Sequence, residues 1–259
     1  MPPQRPNEIE YLTGRLSGAL RPSGVTLPGG GGKFATDGTV MVWPGNTFVC
    51  HVPRGTQAYN AILAVQDALK MSPYQRFYTF LPAPSFHMTL FQGISPGNRP
   101  GYGWPDGVAE GTPRAAVTEE MLRRVATLDL PERYRVKVDD LFAGHSLTVS
   151  GADAAAEQEL RRARVALRDA TGIAFADFDT YVFHITLGYL VDWVSEATAC
   201  AIAELSAELS AHYAAEIGII EFGPVEFCTF ETMHHFETLR RIGATAPPAP
   251  ERTPTSGAP

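Results

Sequence analysis

The chain has 259 residues, of which 44% are hydrophobic and only 19% are charged. This composition supplies enough apolar material for a hydrophobic core and excludes a chain that is disordered along its whole length. The longest apolar stretches, such as residues 61–65 and 217–220, are far shorter than the roughly 20 residues that a membrane-spanning helix needs. We therefore expect no membrane association.

The formal net charge of −7 argues against a protein that follows a long nucleic-acid duplex, since such proteins usually concentrate basic residues on one face. The N-terminus has no apolar run behind its charged residues, which predicts a cytoplasmic protein without a secretory signal. The cysteines at 50, 200 and 228 share no short spacing, so neither a zinc knuckle nor a redox pair is expected. We also expect a monomer.

Residues 1–33 predict an extension that precedes the main domain. A short helix is predicted over residues 7–20, followed by a glycine-rich stretch that ends at Lys33. A phosphate-binding P-loop is excluded there, because Leu27 and Phe34 stand where a Walker motif has Gly and Ser or Thr. The glycines instead predict a flexible connector.

After this extension, a unit built of strands and helices occurs twice. The first copy is predicted as a strand over 47–52, a helix over 55–70, strands over 77–81 and 86–91, a helix over 118–128 and a strand over 134–138. The second copy is predicted as a strand over 146–150, a helix over 152–170, a strand over 183–190, a helix over 195–215 and strands over 225–230 and 236–242.

Two of the predicted helices are amphipathic. The helix over 55–70 has an apolar face made of Ala58, Ile62, Val65 and Leu69. The helix over 152–170 is apolar at Leu160, Val165 and Leu167, and its charged residues are Arg161, Arg162, Arg164 and Arg168.

These elements predict an α+β fold that is duplicated and bilobal, with two antiparallel sheets backed by helices and a groove between the lobes. The lobes are predicted over about 34–143 and 144–243, and residues 244–259 are predicted as a disordered tail. The segment 93–116 is too long for an ordinary connection and is predicted as a surface loop beside the groove.

The two copies agree most closely at Ser85-Phe-His-Met-Thr-Leu-Phe91 and at Val182-Phe-His-Ile-Thr-Leu-Gly188. A buried, hydrogen-bonded histidine is a common alternative for either motif alone. Two matched copies among seven histidines are hard to assign to chance. The pair therefore indicates a functional site.

Strand geometry explains the spacing inside each motif. Because side chains alternate between the two faces of a strand, His87 and Thr89 share one face, as do His184 and Thr186. If the lobes are related by an approximate twofold axis, two imidazoles and two hydroxyls meet in the groove. Transfer at a phosphodiester needs one imidazole to take a proton, a second to give one, and donors for the nonbridging oxygens. This pattern needs neither a metal nor a cofactor.

The paired motifs and the duplicated architecture resemble the two-histidine (2H) phosphoesterase superfamily, which includes cyclic phosphodiesterases and RNA 2′,5′-ligase-like proteins. Segments within 32–47 and 227–233 resemble a bacterial and fungal branch of it, and the resemblance extends over about 32–243. It implies that His87 and His184 are the catalytic acid and base, and that Thr89 and Thr186 hold the substrate phosphate.

Four further residues are candidates for substrate contacts. Phe91 follows Thr89 on the groove face by parity and could stack on a base or simply close the sheet. Arg99 and Tyr102 lie in the long loop, where a solvated arginine is the ordinary alternative. His51 lies on a strand expected near the groove, with a structural histidine as its alternative.

The leading hypothesis is a metal-independent phosphodiesterase that opens 2′,3′-cyclic or related phosphodiesters in small nucleotides or at RNA ends. One alternative is an RNA ligase or end-processing enzyme that uses the same groove. A second is a noncatalytic module that binds nucleotides. A metallohydrolase is disfavoured, because the two motifs supply no nearby acidic ligands.

Overall fold

The computed structural model describes residues 4–243, so the predicted tail lies outside the described residues. The helices are Glu8–Leu12 (α1), Gln57–Met71 (α2), Arg114–Arg124 (α3), Ala154–Thr171 (α4) and Glu196–Ile217 (α5). The strands are Val25–Thr26 (β1), Phe34–Ala35 (β2), Gly45–His51 (β3), Tyr78–Phe80 (β4), His87–Gln92 (β5), Tyr134–Phe142 (β6), Ser146–Gly151 (β7), His184–Thr186 (β8), Gly188–Leu190 (β9), Ile219–Phe222 (β10), Val225–Thr232 (β11) and His235–Ile242 (β12). Across this part of the chain, none of the helices has the length and apolar character needed to cross a membrane.

Eight strands form one antiparallel sheet in the order β10-β6-β7-β8-β5-β3-β11-β12. The predicted α+β class is confirmed. The two predicted sheets are the two four-stranded halves of this single sheet, which are joined where β5 pairs with β8. We call this junction the seam.

Each half of the sheet takes strands from both parts of the chain. β6 lies beside β7 in the half that contains β8, and β11 and β12 lie beside β3 in the half that contains β5. The predicted lobe boundary near residue 143 therefore does not coincide with the boundary within the sheet. Strand pairing assigns β6 and β11–β12 to the opposite half from the one that their position in the sequence suggests.

The sheet is strongly curled. β10 lies at one edge and β11 is six positions away, which in a flat sheet would separate them by about 29 Å. Residues 223–224 connect the two strands, and such a short link spans at most about 11 Å. The connection can be made only if the sheet bends and twists enough to bring β10 close to β11.

Helices α2 and α4 cover the apolar face of the sheet. The predicted apolar face of α2 is confirmed, since Ala58, Ile62, Val65 and Leu69 are all buried. In α4 the prediction is wrong at two neighbouring positions: Val165 is 38% exposed, whereas Arg164 is 1% exposed. The Arg164 guanidinium is buried because it donates to the Leu90 carbonyl oxygen at 2.6 Å and to the Phe178 carbonyl oxygen at 3.3 Å.

The predicted strand over 183–190 is divided at Leu187. The Leu187 amide donates to the His145 carbonyl oxygen at 2.7 Å, and the Leu187 carbonyl oxygen accepts from the Leu81 amide at 2.9 Å. The chain therefore leaves the main sheet after β8 and continues as β9, which pairs with β4 in a separate ribbon.

The N-terminal extension packs on the domain. α1 is shorter than predicted, and the Tyr11 hydroxyl lies 3.1 Å from Nε2 of His145 in the β6–β7 turn. The glycine-rich stretch is a hydrogen-bonded loop in which the Lys33 amide donates to the Gly24 carbonyl oxygen at 2.7 Å. Helix α3 also differs from its prediction, because it begins at Arg114 and contains Thr118 in its interior.

Candidate active site

The seam brings the two predicted motifs together. Met88 of β5 faces Ile185 of β8 in an antiparallel pair, and both side chains are fully buried on the apolar face. The neighbouring positions in this register place His87 across from Thr186, and Thr89 across from His184, on the opposite face. We call that face the histidine face. The two motifs are thus related by an approximate local twofold axis between β5 and β8.

The two imidazoles are held in the same way. His87 Nδ1 lies 2.7 Å from the Ser85 carbonyl oxygen, and His184 Nδ1 lies 2.8 Å from the Val182 carbonyl oxygen. A carbonyl oxygen can only accept, so each Nδ1 carries the proton and donates. In both neutral rings Nε2 is therefore left with a lone pair and is available to a substrate.

Both rings are neutral at pH 7. Burial lowers the pKa of His87 to about 3, against the bond to the Ser85 carbonyl, and the nearby imidazoles of His51 and His184 lower it further. Burial likewise lowers the pKa of His184 to about 4, and the charges of Arg5 and Lys33 act in the same direction. Each ring is therefore a potential base, and one of them must gain a proton before it can act as an acid.

A third imidazole lies beside the first motif. His51 of β3 pairs with His87, and their ring centroids are 6.0 Å apart in an edge-to-face arrangement. His51 Nδ1 lies 2.8 Å from a carboxylate oxygen of Glu226, whose other partners are the Thr238 hydroxyl at 2.6 Å and Arg241 at 3.5 Å. The structure thus places the candidate His51 on the histidine face.

Glu226 is ionised in this arrangement. Burial raises its pKa, but the hydrogen bonds from His51 and Thr238 outweigh that effect and bring the pKa to about 2. The carboxylate fixes the His51 ring with Nδ1–H toward Glu226, which leaves Nε2 for other partners. Glu226 could not be selected from the sequence, because a single acidic residue at an alternating position of a strand has no distinctive pattern.

The same place contains a group of residues with metal-ligand chemistry. Ligand atoms of His51, Glu226 and Cys228 lie within 4.8 Å of one another. The Glu226 carboxylate already accepts from a hydroxyl and an imidazole and lies beside a guanidinium, a setting typical of an ion-pair network. The two motifs contain no acidic or thiol ligand, and Glu226 and Cys228 supply one of each beside the first motif.

Phe236 forms one wall of the site. Its ring centroid lies 4.3 Å from that of His87, in an edge-to-face contact. β12 is separated from β5 by two strands, so this half of the sheet curls toward the histidine face. A cavity of about 480 Å³ opens next to this contact and is lined by His51, Glu226 and Phe236 among others.

Tyr181 lies at the other end of the seam. Its ring centroid is 5.9 Å from that of His184. The Arg164 guanidinium stacks on its opposite side, 4.0 Å from the ring centroid. Burial raises the pKa of Tyr181 to about 12, so its hydroxyl stays protonated. Tyr181 precedes His184 by three positions, and no local pattern distinguishes it from other buried aromatic residues.

Phe91 is not on the histidine face, and the prediction that placed it there is wrong. A bulge interrupts the β3–β5 pairing: Val49 faces Thr89, whereas the next residue back, Phe48, faces Phe91. The extra residue, Leu90, reverses the alternation after Thr89. Phe91 is fully buried and packs against Phe48 in the core.

Arg99 and Tyr102 are also placed away from the seam. The two residues pair with each other, and the Arg99 guanidinium lies 5.5 Å from the Tyr102 ring centroid. Tyr102 contacts Phe175, which in turn packs against Phe91 in the core. The long loop therefore packs against residues that follow the end of α4, and within residues 4–243 no hydrogen bond or ring contact joins Arg99 or Tyr102 to His87, Thr89, His184 or Thr186.

The fold and the histidine face resemble those of the two-histidine phosphoesterase superfamily. Residues 33–147 match a family model named 2H-phosphodiest and described as a domain of unknown function (DUF1868). The match covers less than half of the chain, and it confirms the resemblance inferred from the motifs. It contains His87 and Thr89, whereas the second motif lies beyond it. No curated protein matches the chain.

One solved structure shares this fold, and two others match much more weakly. The conserved protein of unknown function ATU0111 from Agrobacterium tumefaciens is 28% identical and matches with a TM-score of 0.83 over 92% of this chain and 100% of its own. TT0787 of Thermus thermophilus is 14% identical, with a TM-score of 0.37 over 76% of this chain and 96% of its own. Usb1 of Kluyveromyces marxianus is 10% identical, with a TM-score of 0.39 over 75% and 97%.

Proposed function

We propose that this protein is a metal-independent phosphoesterase that hydrolyses 2′,3′-cyclic or related phosphodiesters of small nucleotides or of RNA ends. The observation that carries the proposal is the symmetry of the seam. Two imidazoles with the same Nδ1 anchor each face the threonine of the other motif. The family match over the first motif supports phosphodiester chemistry in general and leaves the substrate open.

In the proposed reaction, Nε2 of one neutral histidine takes a proton from the attacking water as the water oxygen bonds to phosphorus. The bond from phosphorus to the leaving oxygen breaks, and the other histidine donates its Nε2 proton to that oxygen. The hydroxyls of Thr89 and Thr186 donate to the nonbridging oxygens. Proton exchange with water then restores the two rings.

The lowered pKa values fit this scheme once the substrate is considered. A phosphodiester carries one negative charge, and a negative charge near an imidazole favours its protonated form. The bound substrate thus helps to supply the acid that the free protein lacks at pH 7. His51 adds a further imidazole beside His87, and we propose it as a substrate contact. The net charge of −7 supports a small substrate or a chain end rather than a duplex.

The test is a hydrolysis screen across 2′,3′-cyclic, 3′,5′-cyclic and 2′,5′-linked nucleotides, with a double variant that carries His87→Ala and His184→Ala as the blank. Turnover by the natural protein and none by the blank supports the proposal. Binding of a nucleotide without turnover of any substrate contradicts it and favours the noncatalytic module. Joining of RNA ends in place of hydrolysis favours the ligase.

A chelator arm of the screen tests the metal requirement. We expect the rate to persist in EDTA. Complete loss of activity that zinc or manganese restores would contradict a metal-independent reaction and would direct attention to His51, Glu226 and Cys228.

A further inference from the structure

The N-terminal segment places a guanidinium on the histidine face. Arg5 Nη2 donates to the Ser146 hydroxyl at 2.9 Å, and Arg5 Nε donates to the Thr148 hydroxyl at 3.1 Å. The register of β7 with β8 pairs Ser146 with Thr186, and Thr148 with His184. The acceptors of Arg5 are therefore one strand spacing, about 5 Å, from the second motif.

This guanidinium has no counterion in contact. Both of its hydrogen-bond acceptors are neutral hydroxyls, and none of the ion pairs among residues 4–243 includes Arg5. Asp140 influences it from beyond ion-pair distance, and burial lowers the pKa of Arg5. A partly buried cation without a paired anion is unfavourable, so the site is arranged for an anion that arrives with a ligand.

The guanidinium is also oriented with donors to spare. The Phe142 ring covers one side of it, with its centroid 4.9 Å from Arg5 Cζ. Of the five N–H groups, those of Nη1 make no hydrogen bond within residues 4–243. A planar guanidinium that is held on one edge and open on another matches the geometry of a phosphate group.

A second cation approaches the same end of the seam. Lys33 Nζ lies 5.4 Å from the ring centroid of Tyr189, three residues after β8 ends, and its charge lowers the pKa of His184. Arg5 and Lys33 come from separate parts of the N-terminal extension. The positive charge of the site therefore collects around the second motif, whereas the first motif lies near the carboxylate of Glu226.

We propose that Arg5 is a substrate-binding residue, which donates from its free edge to a nonbridging oxygen of the phosphodiester at the His184 and Thr186 end of the seam. This inference rests on the proposed function and adds the N-terminal extension to the substrate-binding machinery. The extension would then take part in phosphate recognition, whereas the sequence predicted only a flexible connector there.

The experiment titrates the full chain with inorganic phosphate by calorimetry and also follows the thermal midpoint with and without phosphate. The variants are Arg5→Met, which keeps an unbranched apolar side chain of similar length, and Arg5→Lys, which keeps the charge without the planar fork. Arg15→Met is the matched control, because Arg15 lies in the same extension and pairs with Glu196 at an exposed position.

We expect Arg5→Met to weaken phosphate binding by about 10-fold to 100-fold, as a lost charge-assisted hydrogen bond does. Arg5→Lys should retain part of the affinity, and Arg15→Met should bind as the natural protein does. Phosphate should raise the thermal midpoint of the natural protein more than that of Arg5→Met, a difference that a merely structural anchor would not produce.

Equal phosphate affinity in the natural protein and Arg5→Met would overturn the inference, as would absence of phosphate binding to the natural protein at millimolar concentrations. If Arg5→Met fails to fold, full affinity in a folded Arg5→Lys variant would exclude a role for the planar fork. Failure of the proposed function can be distinguished from failure of this inference. Phosphate binding that depends on Arg5, together with a negative hydrolysis screen, would contradict the proposed reaction and support the phosphate site. Turnover with an unchanged KM in Arg5→Met would contradict the role of Arg5 and support the reaction.

Discussion

The pH dependence of kcat/KM follows from the burial of the two imidazoles. With a pKa of about 3 for His87 and about 4 for His184, roughly one molecule in a thousand carries a proton on either ring at pH 7. The reaction needs one protonated and one neutral ring. Above about pH 5 the population of that form falls about tenfold per pH unit, so log kcat/KM should decrease with a slope near −1 from pH 5 to pH 8.

The assay measures initial rates at substrate concentrations well below KM, at constant ionic strength, with a 2′,3′-cyclic nucleotide that the screen identifies. kcat/KM is the appropriate quantity, because it reports the ionisation of the free protein and does not include product release. NMR titration of the histidine side chains gives an independent measurement of the same pKa values.

A bell-shaped profile centred between pH 6 and pH 7 would refute this reasoning, because it would show that the rings titrate near the ordinary imidazole pKa of about 6.5. A profile that is flat from pH 5 to pH 8 would also refute it. The profile of kcat should lie at higher pH than that of kcat/KM, since the anionic substrate raises the pKa of the ring that becomes the acid.

Other predictions address single groups. His87→Ala and His184→Ala should each lower kcat by about 10²–10⁴-fold with the circular dichroism spectrum unchanged, and full activity in two folded variants would contradict the acid–base roles. Glu226→Gln should lower kcat/KM by about tenfold, because His51 loses its charged partner. Glu231→Gln on the same strand is the control and should have no effect. Equal kcat/KM in the Glu226→Gln variant and the natural protein would contradict a role for the His51–Glu226 pair. Arg164→Met should lower the free energy of unfolding by about 2–4 kcal/mol in urea titrations, since two buried carbonyl groups lose their donor; a loss below about 0.5 kcal/mol would exclude that role. Stability should fall as pH decreases below about 6.5, because the unfolded chain binds protons that the half-buried His87 and His184 do not. A thermal midpoint that is constant from pH 7 to pH 5 would contradict the lowered pKa values.

Much of the fold could be predicted because hydrophobic periodicity is local. The helices α2, α4 and α5 and most strands of the main sheet fall close to their predicted positions, and the matched motifs predicted that His87 and His184 face one groove. Strand order could not be predicted in the same way, since pairing depends on contacts between residues far apart in the chain. For that reason β6 and β11–β12 were assigned to the wrong halves of the sheet.

The candidate site was predicted only in part, for two physical reasons. Alternation assigns faces correctly until a bulge intervenes, and one extra residue at Leu90 was enough to move Phe91 from the histidine face into the core. Arg5, Tyr181 and Glu226 reach the site from outside the motifs. Their positions depend on tertiary packing, and nothing in their local sequence distinguishes them from ordinary polar residues.

The exchange of strands between the halves has a consequence for how the chain can be divided. A fragment that ends near residue 143 would hold His87 and β6 but would lack β11 and β12, which carry Glu226 and Phe236. The remaining fragment would hold His184 but leave β7 without its neighbour β6. Neither piece is a self-sufficient half-molecule, so loss of the C-terminal hairpin would damage the surroundings of His87, about 140 positions earlier, more directly than those of the nearer His184.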